Sequence, residues 1–225
     1  MKKGEIIEID IDDIKFPSNG TAKYNGKKVI IKGALPGQKI RARISKIRNG
    51  NIEAKTIEVI NKASYEKDAD CIHFNDCGGC AYQNVPYEKQ LEIKANQVKS
   101  ILDSILTEHY DFLPIVESPK KTEYRNKMDF SFGDEEKDGP LSLGMHKRNS
   151  FHSIVNTSSC SIVDEDYRKI LCRILSYFRG NSQTHYHKST NKGFLRYLIV
   201  RKTVKTEEIL INLITTSQSS LNENE

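Results

Sequence analysis

Over the first sixty residues, polar and apolar side chains alternate in short runs. Lys39-Ile40-Arg41-Ala42-Arg43-Ile44-Ser45-Lys46-Ile47 is the longest of these, and a period of two is that of a strand with one face buried. Asn25-Gly26 separates Ala22–Tyr24 from Lys28–Lys32, and Asn49-Gly50 separates Arg41–Ile47 from Ile52–Ile60. Both dipeptides suit tight hairpin turns, and Pro36-Gly37 marks a further reversal. About five short strands in so few residues predict a small closed barrel of the OB or SH3-like kind. In the long strand Ile40, Ala42, Ile44 and Ile47 are expected to face the core, leaving Lys39, Arg41, Arg43 and Lys46 outside, with Arg48 at its end.

The pattern then changes. Residues 61–70 read as a polar linker, and a cysteine cluster follows at once. Pro86, at a favourable first-turn position, opens a helix to about Leu106, with Leu91, Ala95, Val98, Leu102 and Ile105 as its apolar stripe. A second helix is predicted over Glu165–Arg179, with Tyr167, Ile170, Leu171, Ile174 and Phe178 on one face. Strand-like runs lie at Tyr124–Phe132, Leu141–Met145, Ser153–Val155, Phe194–Arg201 and Ile209–Ile214, the first two flanking an acidic turn over Gly133–Gly139. Strands and helices without strict alternation predict an α+β arrangement, an antiparallel sheet with helices on one side. The expected division is a barrel over 1–60, linker and cysteine loop over 61–85, an α+β central domain over 86–216 and a flexible tail over 217–225.

Charge sharpens the picture of the barrel. The chain of 225 residues carries a net +5. Residues 1–60 hold 13 Lys/Arg against 7 Asp/Glu, and the remainder holds 22 against 23. Between Ile14 and Ile52 there are ten basic residues and no acid. Such a field attracts polyanions, and phosphate neutralisation supplies the sequence-independent part of nucleic-acid affinity. No apolar run reaches the length that crosses a bilayer, and the opening residues are too acidic for a secretory signal. A cytoplasmic, monomeric protein with no membrane partner is expected. Five cysteines in a reducing compartment argue for metal binding or burial rather than disulfides.

The cysteines are the most informative feature. Cys71-Ile-His-Phe-Asn-Asp-Cys77-Gly-Gly-Cys80 lets one irregular segment wrap three sides of a metal centre, with Gly78 and Gly79 expected to supply close backbone approach and unusual φ values. A tetrahedral or cubane site wants a fourth thiolate. Cys160, at the end of a strand-like run, fits better than Cys172, which lies within the second helix and is expected to pack there. Buried structural thiols, a redox pair at Cys77 and Cys80, and structural zinc remain open on spacing alone.

With Tyr124-Arg125-Asn126-Lys127, Leu143-Gly144-Met145-His146-Lys147-Arg148 and Cys160 added to that triplet, nearly the whole chain resembles the RNA uracil-5-methyltransferases, in particular the branch acting on 23S ribosomal RNA. Met145 departs from the pattern, which has an aromatic residue there. The resemblance implies a TRAM domain for the barrel and a 4Fe–4S cluster on Cys71, Cys77, Cys80 and Cys160. That cluster would close a loop of about eighty residues, fix the RNA-binding surfaces relative to one another and make metal-binding energy into folding energy. Lys39, Arg41, Arg43, Lys46 and Arg48 on the barrel and Tyr124, Arg125, Lys127, His146, Lys147 and Arg148 in the central domain are the candidate RNA contacts, with Tyr124 or Phe130 either stacking on a splayed base or packing in the core.

Family members methylate uracil C5 from S-adenosylmethionine, using a cysteine that adds to C6. No Gly-x-Gly occurs in the chain, and Cys172 is the only cysteine left over. The chain is therefore expected to be a front portion from which the catalytic Rossmann-like methyltransferase domain is absent, with no catalytic residue and no activity by itself. A transfer-RNA methyltransferase and a zinc-stabilised RNA-binding module are the alternatives. A radical methylthio-transferring enzyme would need a Cys-x3-Cys-x2-Cys spacing and a barrel placed last, so it is set aside. The segment Gly180–Lys192, with His185, His187, Lys188 and Lys192, reads as a solvated loop.

Overall fold

The computed structural model describes residues 1–48, 50–181 and 183–221. Asn49 of the second hairpin dipeptide and residues 222–225 of the tail lie outside them. The chain forms two compact units: Met1–Asp68 with Ala81–Glu117, and Ala69–Cys80 with Ser118–Glu225.

The first unit is built on strands β1 (Ile6–Asp10), β2 (Asp13–Lys15), β3 (Asn19–Tyr24), β4 (Lys27–Lys32), β5 (Lys39–Arg48) and β6 (Asn51–Asn61), in the order β1-β5-β6-β4-β3-β2. β1 pairs with β5 and β2 with β3. Only Ile11 and Asp12 separate β1 from β2; Ile11 N–H donates to Gln38 O at 2.9 Å and Asp12 N–H to Thr21 O at 3.0 Å. One bent stretch thus serves both edges of the sheet, which closes it and leaves no free edge. β4 and β6 pair in parallel, and every other pairing in this sheet is antiparallel. Asn25 and Gly26 both have positive φ, +49° and +74°, the geometry of the expected tight turn. Inside lie Ile7, Ile9, Val29, Ile31, Ile40, Ala42, Ile44 and Ile52. Ile47 is a correction: the register shifts between Ile44 and Lys46, and Ile47 ends 42% exposed near the turn end of the hairpin rather than in the core.

Helix α1 (Tyr87–Asp103) follows Pro86, whose extended ψ of 144° stops the helix from reaching further back. Its buried residues are Ile93 and Gln97, not the expected stripe. Ile93 packs with Ile14, Leu35 and Val85, and the fixed end of the barrel selects that face. Val98 and Ile105, counted as core in the sequence pattern, are exposed.

The second unit has an antiparallel sheet of β7 (Lys127–Asp134), β8 (Leu141–His146), β9 (Ile154–Asn156), β10 (Leu195–Lys202) and β11 (Ile209–Thr215), in the order β11-β10-β7-β8-β9. Helix α2 (Glu165–Gly180) begins at Asp164, whose carboxylate accepts the Asp166 N–H as an N-cap. It buries Tyr167, Leu171, Leu175 and Phe178 against Phe130, Leu143 and Leu198 of the sheet. Each such side chain contributes about 1.5–3 kcal/mol by leaving water. Phe130 is fully buried, so it is core and not a platform for a base. Among the described residues no helix is long and apolar enough to cross a membrane.

Candidate cysteine centre and nucleic-acid interface

The cysteine triplet sits in successive turns. Phe74 N–H donates to Cys71 O at 3.0 Å, and Cys77 N–H to His73 O at 2.7 Å. The loop then docks on the end of β8: Gly78 N–H donates to His146 O at 2.9 Å, and Arg148 N–H to Asp76 O at 2.6 Å. Neither Gly78 nor Gly79 has positive φ, which corrects the expectation of unusual φ values and leaves that of close backbone approach. Close backbone approach accounts for Gly78, whereas a side chain at Gly79 would make only ordinary contact. A Cβ on Gly78 would meet His146 O at 3.1 Å, and one on Gly79 would meet Cys77 Sγ at 3.4 Å.

Arg148 holds this loop together. Its guanidinium donates to the carbonyls of Phe74 at 3.0 Å, Cys80 at 2.9 Å and Cys77 at 3.4 Å, and lies 5.1 Å over the Phe74 ring. Arg168 does similar work on the distant segment, donating to Val163 O at 2.8 Å, Cys160 O at 3.4 Å and the Glu123 carboxylate at 2.9 Å. Sequence reading assigned Arg148 to RNA and missed Arg168. The carbonyl partners of Arg148, some seventy residues away, leave no mark on local pattern.

Cys160 closes a turn after β9, its N–H donating to Thr157 O at 3.1 Å. It is 8% exposed within the core cluster against which Cys80 packs. Burial pushes the Cys77 and Cys160 thiols above the ordinary thiol range, and the Cys80 and Cys71 sulfurs add to this in both cases. The four cysteines therefore share one electrostatic neighbourhood, and all lie in the second unit. A centre built on them would brace that unit. Cys77 Sγ accepts the Gly79 N–H at 3.3 Å, and His73 Nε2 and Thr157 Oγ1 are buried without a partner in the two cysteine-bearing segments. As placed, no group of three His, Cys, Asp or Glu side chains among the described residues could hold a single metal ion. Cys172 is exposed rather than packed.

The basic residues are less free than the sequence implies. Arg41 lies between Glu8 of β1 at 2.8 Å and Glu58 of β6 at 2.6 Å, and Lys46 meets Glu53 at 3.3 Å. Lys39, Arg43 and Arg48 have no ion pair among the described residues. In the second unit Lys127 pairs with Asp129 at 2.7 Å, and Lys147 lies 3.5 Å from Glu135 and 3.8 Å from Asp76. Tyr124 and Arg125 are exposed, and burial of part of the ring pushes the Tyr124 hydroxyl up, with the Cys80 field adding to it. Burial lowers the pKa of His146, assisted by Lys188 and His152.

A closed barrel with one parallel pairing, followed by an antiparallel sheet under one helix, is the frame in which these side chains sit. Residues 1–57 match the TRAM domain family, so the chain carries a TRAM domain. Its relatives are named RNA methyltransferases. One from Clostridium tetani, named an uncharacterized RNA methyltransferase, is 46% identical over 99% of this chain and 49% of its own length. Another so named, from Clostridium acetobutylicum, is 50% identical over 97% of this chain and 48% of its own. Among solved structures, the Pyrococcus abyssi tRNA (uracil-54, C5)-methyltransferase in complex with S-adenosyl-L-homocysteine matches with a TM-score of 0.70. It is 22% identical, over 94% of this chain and 46% of that one. The chain thus spans about half the length of the relatives it matches.

These matches correct the fold-class reading, which defined the chain by the absence of a catalytic Rossmann-like domain. The relatives align over 97–99% of the chain and the solved methyltransferase over 94% of it. The fold class is that of a mostly β chain with a TRAM domain.

Proposed function

We propose that this chain binds RNA and carries a 4Fe–4S cluster on Cys71, Cys77, Cys80 and Cys160, within an S-adenosylmethionine-dependent RNA uracil-5-methyltransferase. The observation that carries the reading is the shared neighbourhood of four sulfurs, three from one loop and one from eighty residues away, in a chain whose relatives are named RNA methyltransferases. A single zinc ion holds its thiolates about 3.8 Å apart, from Zn–S bonds of about 2.3 Å. Four thiolates suit either a structural zinc ion or a cubane, and the cubane is what the family resemblance of the cysteine spacing implies. Such a cluster would act as a brace, and cationic iron would reverse the upward push on the thiols that burial imposes. The S-adenosyl-L-homocysteine in complex with the solved neighbour supports S-adenosylmethionine as methyl donor.

Arg43, Lys39 and Arg48 on the barrel, and Tyr124, Arg125 and His146 on the second unit, are the proposed RNA contacts. Lys127 and Lys147 are available after giving up an acid partner. The RNA proposed from the family resemblance is 23S ribosomal RNA. The solved neighbour, titled a tRNA methyltransferase, favours transfer RNA as the second reading. Anaerobic purification followed by iron, sulfide and zinc analysis tests the centre. About four irons per chain are expected, with a large loss in Cys160→Ser. Stoichiometric zinc without sulfide would overturn it.

A further inference from the structure

The second unit holds a cleft that includes none of the four cysteines. It is lined by the ends of β7 and β8, the stretch before β9, the turn at 185–189 and the start of β10, and its volume is about 120 Å³. That is room for several waters at about 30 Å³ each, and for a planar ring. Four histidines line it: His146, His152, His185 and His187. The last two have ring centroids 4.0 Å apart, tilted by 47°. Arg196 lies 5.0 Å from the Tyr186 ring and 5.6 Å from the Tyr197 ring.

The wall is built rather than loose. Tyr186 N–H donates to Leu195 O and His187 N–H to Lys192 O, both at 2.8 Å. Gly193, at φ +113°, closes the turn, and a Cβ there would meet His185 O at 2.0 Å. Only glycine fits.

Charge points to the ligand. Lys188 and Arg196 line the same cleft with no ion pair among the described residues. Two unpaired cations beside flat rings form an anion subsite next to a stacking subsite. Burial holds His146 and His185 below the ordinary imidazole range, which favours the uncharged ring near neutral pH. Asp134 is buried with one oxygen accepting the Asp138 N–H at 2.9 Å, leaving the other as an acceptor for an amino or imino group. A metal ion is a poor match, since no group of three histidine or acidic side chains among the described residues could hold one. Single-stranded RNA recognition combines these parts: aromatic and guanidinium planes for a splayed base, cations for its phosphate.

We propose that this cleft binds one unstacked nucleotide of an RNA strand, the base against Tyr186 and the His185–His187 pair and the phosphate on Lys188 and Arg196. The proposal rests on the RNA-binding reading and adds a subsite to it. The probe is a fluorescein-labelled ten-nucleotide oligouridylate, followed by anisotropy across a salt series with the whole chain. The double variant Lys188→Gln/Arg196→Gln, at surface side chains, should flatten the plot of log Kd against log salt by about 0.7 per lost phosphate contact. Tyr186→Ala should weaken binding about tenfold at fixed salt. If Tyr186→Ala fails to melt cooperatively, the double variant decides alone. Should the wild-type chain fail to bind the oligonucleotide at all, the RNA-binding reading falls with the subsite. If it binds and the variants match it in both slope and Kd, the subsite alone is overturned.

Discussion

Removing the Arg148 side chain should open the cysteine loop while leaving the sheet beneath it intact. The guanidinium makes two good hydrogen bonds, at 2.9 and 3.0 Å, one long one at 3.4 Å, and a contact with the Phe74 ring. A hydrogen bond to a charged group contributes about 1.5–3 kcal/mol when fully sheltered. Here the loop is only half-buried and water can replace part of each, so about 1 kcal/mol for each short bond is the reasonable figure. The ring contact adds about 0.5–1 kcal/mol. The sum, about 2.5–3 kcal/mol, is a ~60- to 140-fold change in the opening equilibrium. Hydrogen exchange reads this directly at the Gly78 amide, which donates to His146 O. In reduced, chelator-treated protein, Arg148→Ala should lose protection there by that factor, while amides of β10 stay unchanged. Arg148→Lys should recover less than half of the loss, because a single ammonium cannot span three carbonyls. A Gly78 protection factor within twofold of wild type would refute the assignment of Arg148 as the residue that holds the loop.

Two further outcomes follow from charge placement. On the barrel, Arg43→Ala and Arg48→Ala should each flatten the salt dependence of RNA binding by about 0.7. Arg41→Ala should do less, because Glu8 and Glu58 already neutralise it; equal effects would mean that those ion pairs do not persist in solution. In the second unit, burial pushes the Asp164 carboxyl up, but the hydrogen bond and charge of Lys202 carry it net below the usual carboxylate range. A depressed carboxylate contributes stability that is complete above its unfolded value of about 3.9 and is lost as pH falls through the native value. The unfolding midpoint should therefore drop on acidification below about pH 4, and Asp164→Asn, which can still cap α2, should drop less steeply. Parallel midpoint curves between pH 2 and 7 would remove Asp164 from the account.

What the sequence determined here is what short-range physics writes into it. Alternation in Lys39–Ile44 set the inward face of β5, and Asn25-Gly26 set a tight turn, because strand period and φ > 0 are local requirements. The loop that carries three sulfurs was legible in the same way, from spacing. Tertiary structure decided everything that depends on partners far along the chain. No acid lies between Ile14 and Ile52, yet Glu8, Glu53 and Glu58 come alongside β5 from its neighbours and pair with two of its five basic residues. Helix α1 turned Ile93 inward rather than its longer apolar stripe, because the barrel residues Ile14 and Leu35 were there to receive it. Arg148 became a staple for carbonyls more than sixty residues away. The histidines of the 185–187 turn, unremarkable as a sequence, gained a site only when His146, His152 and Arg196 arrived beside them from other segments. Local pattern fixes which way a segment faces, and only the fold fixes what it faces.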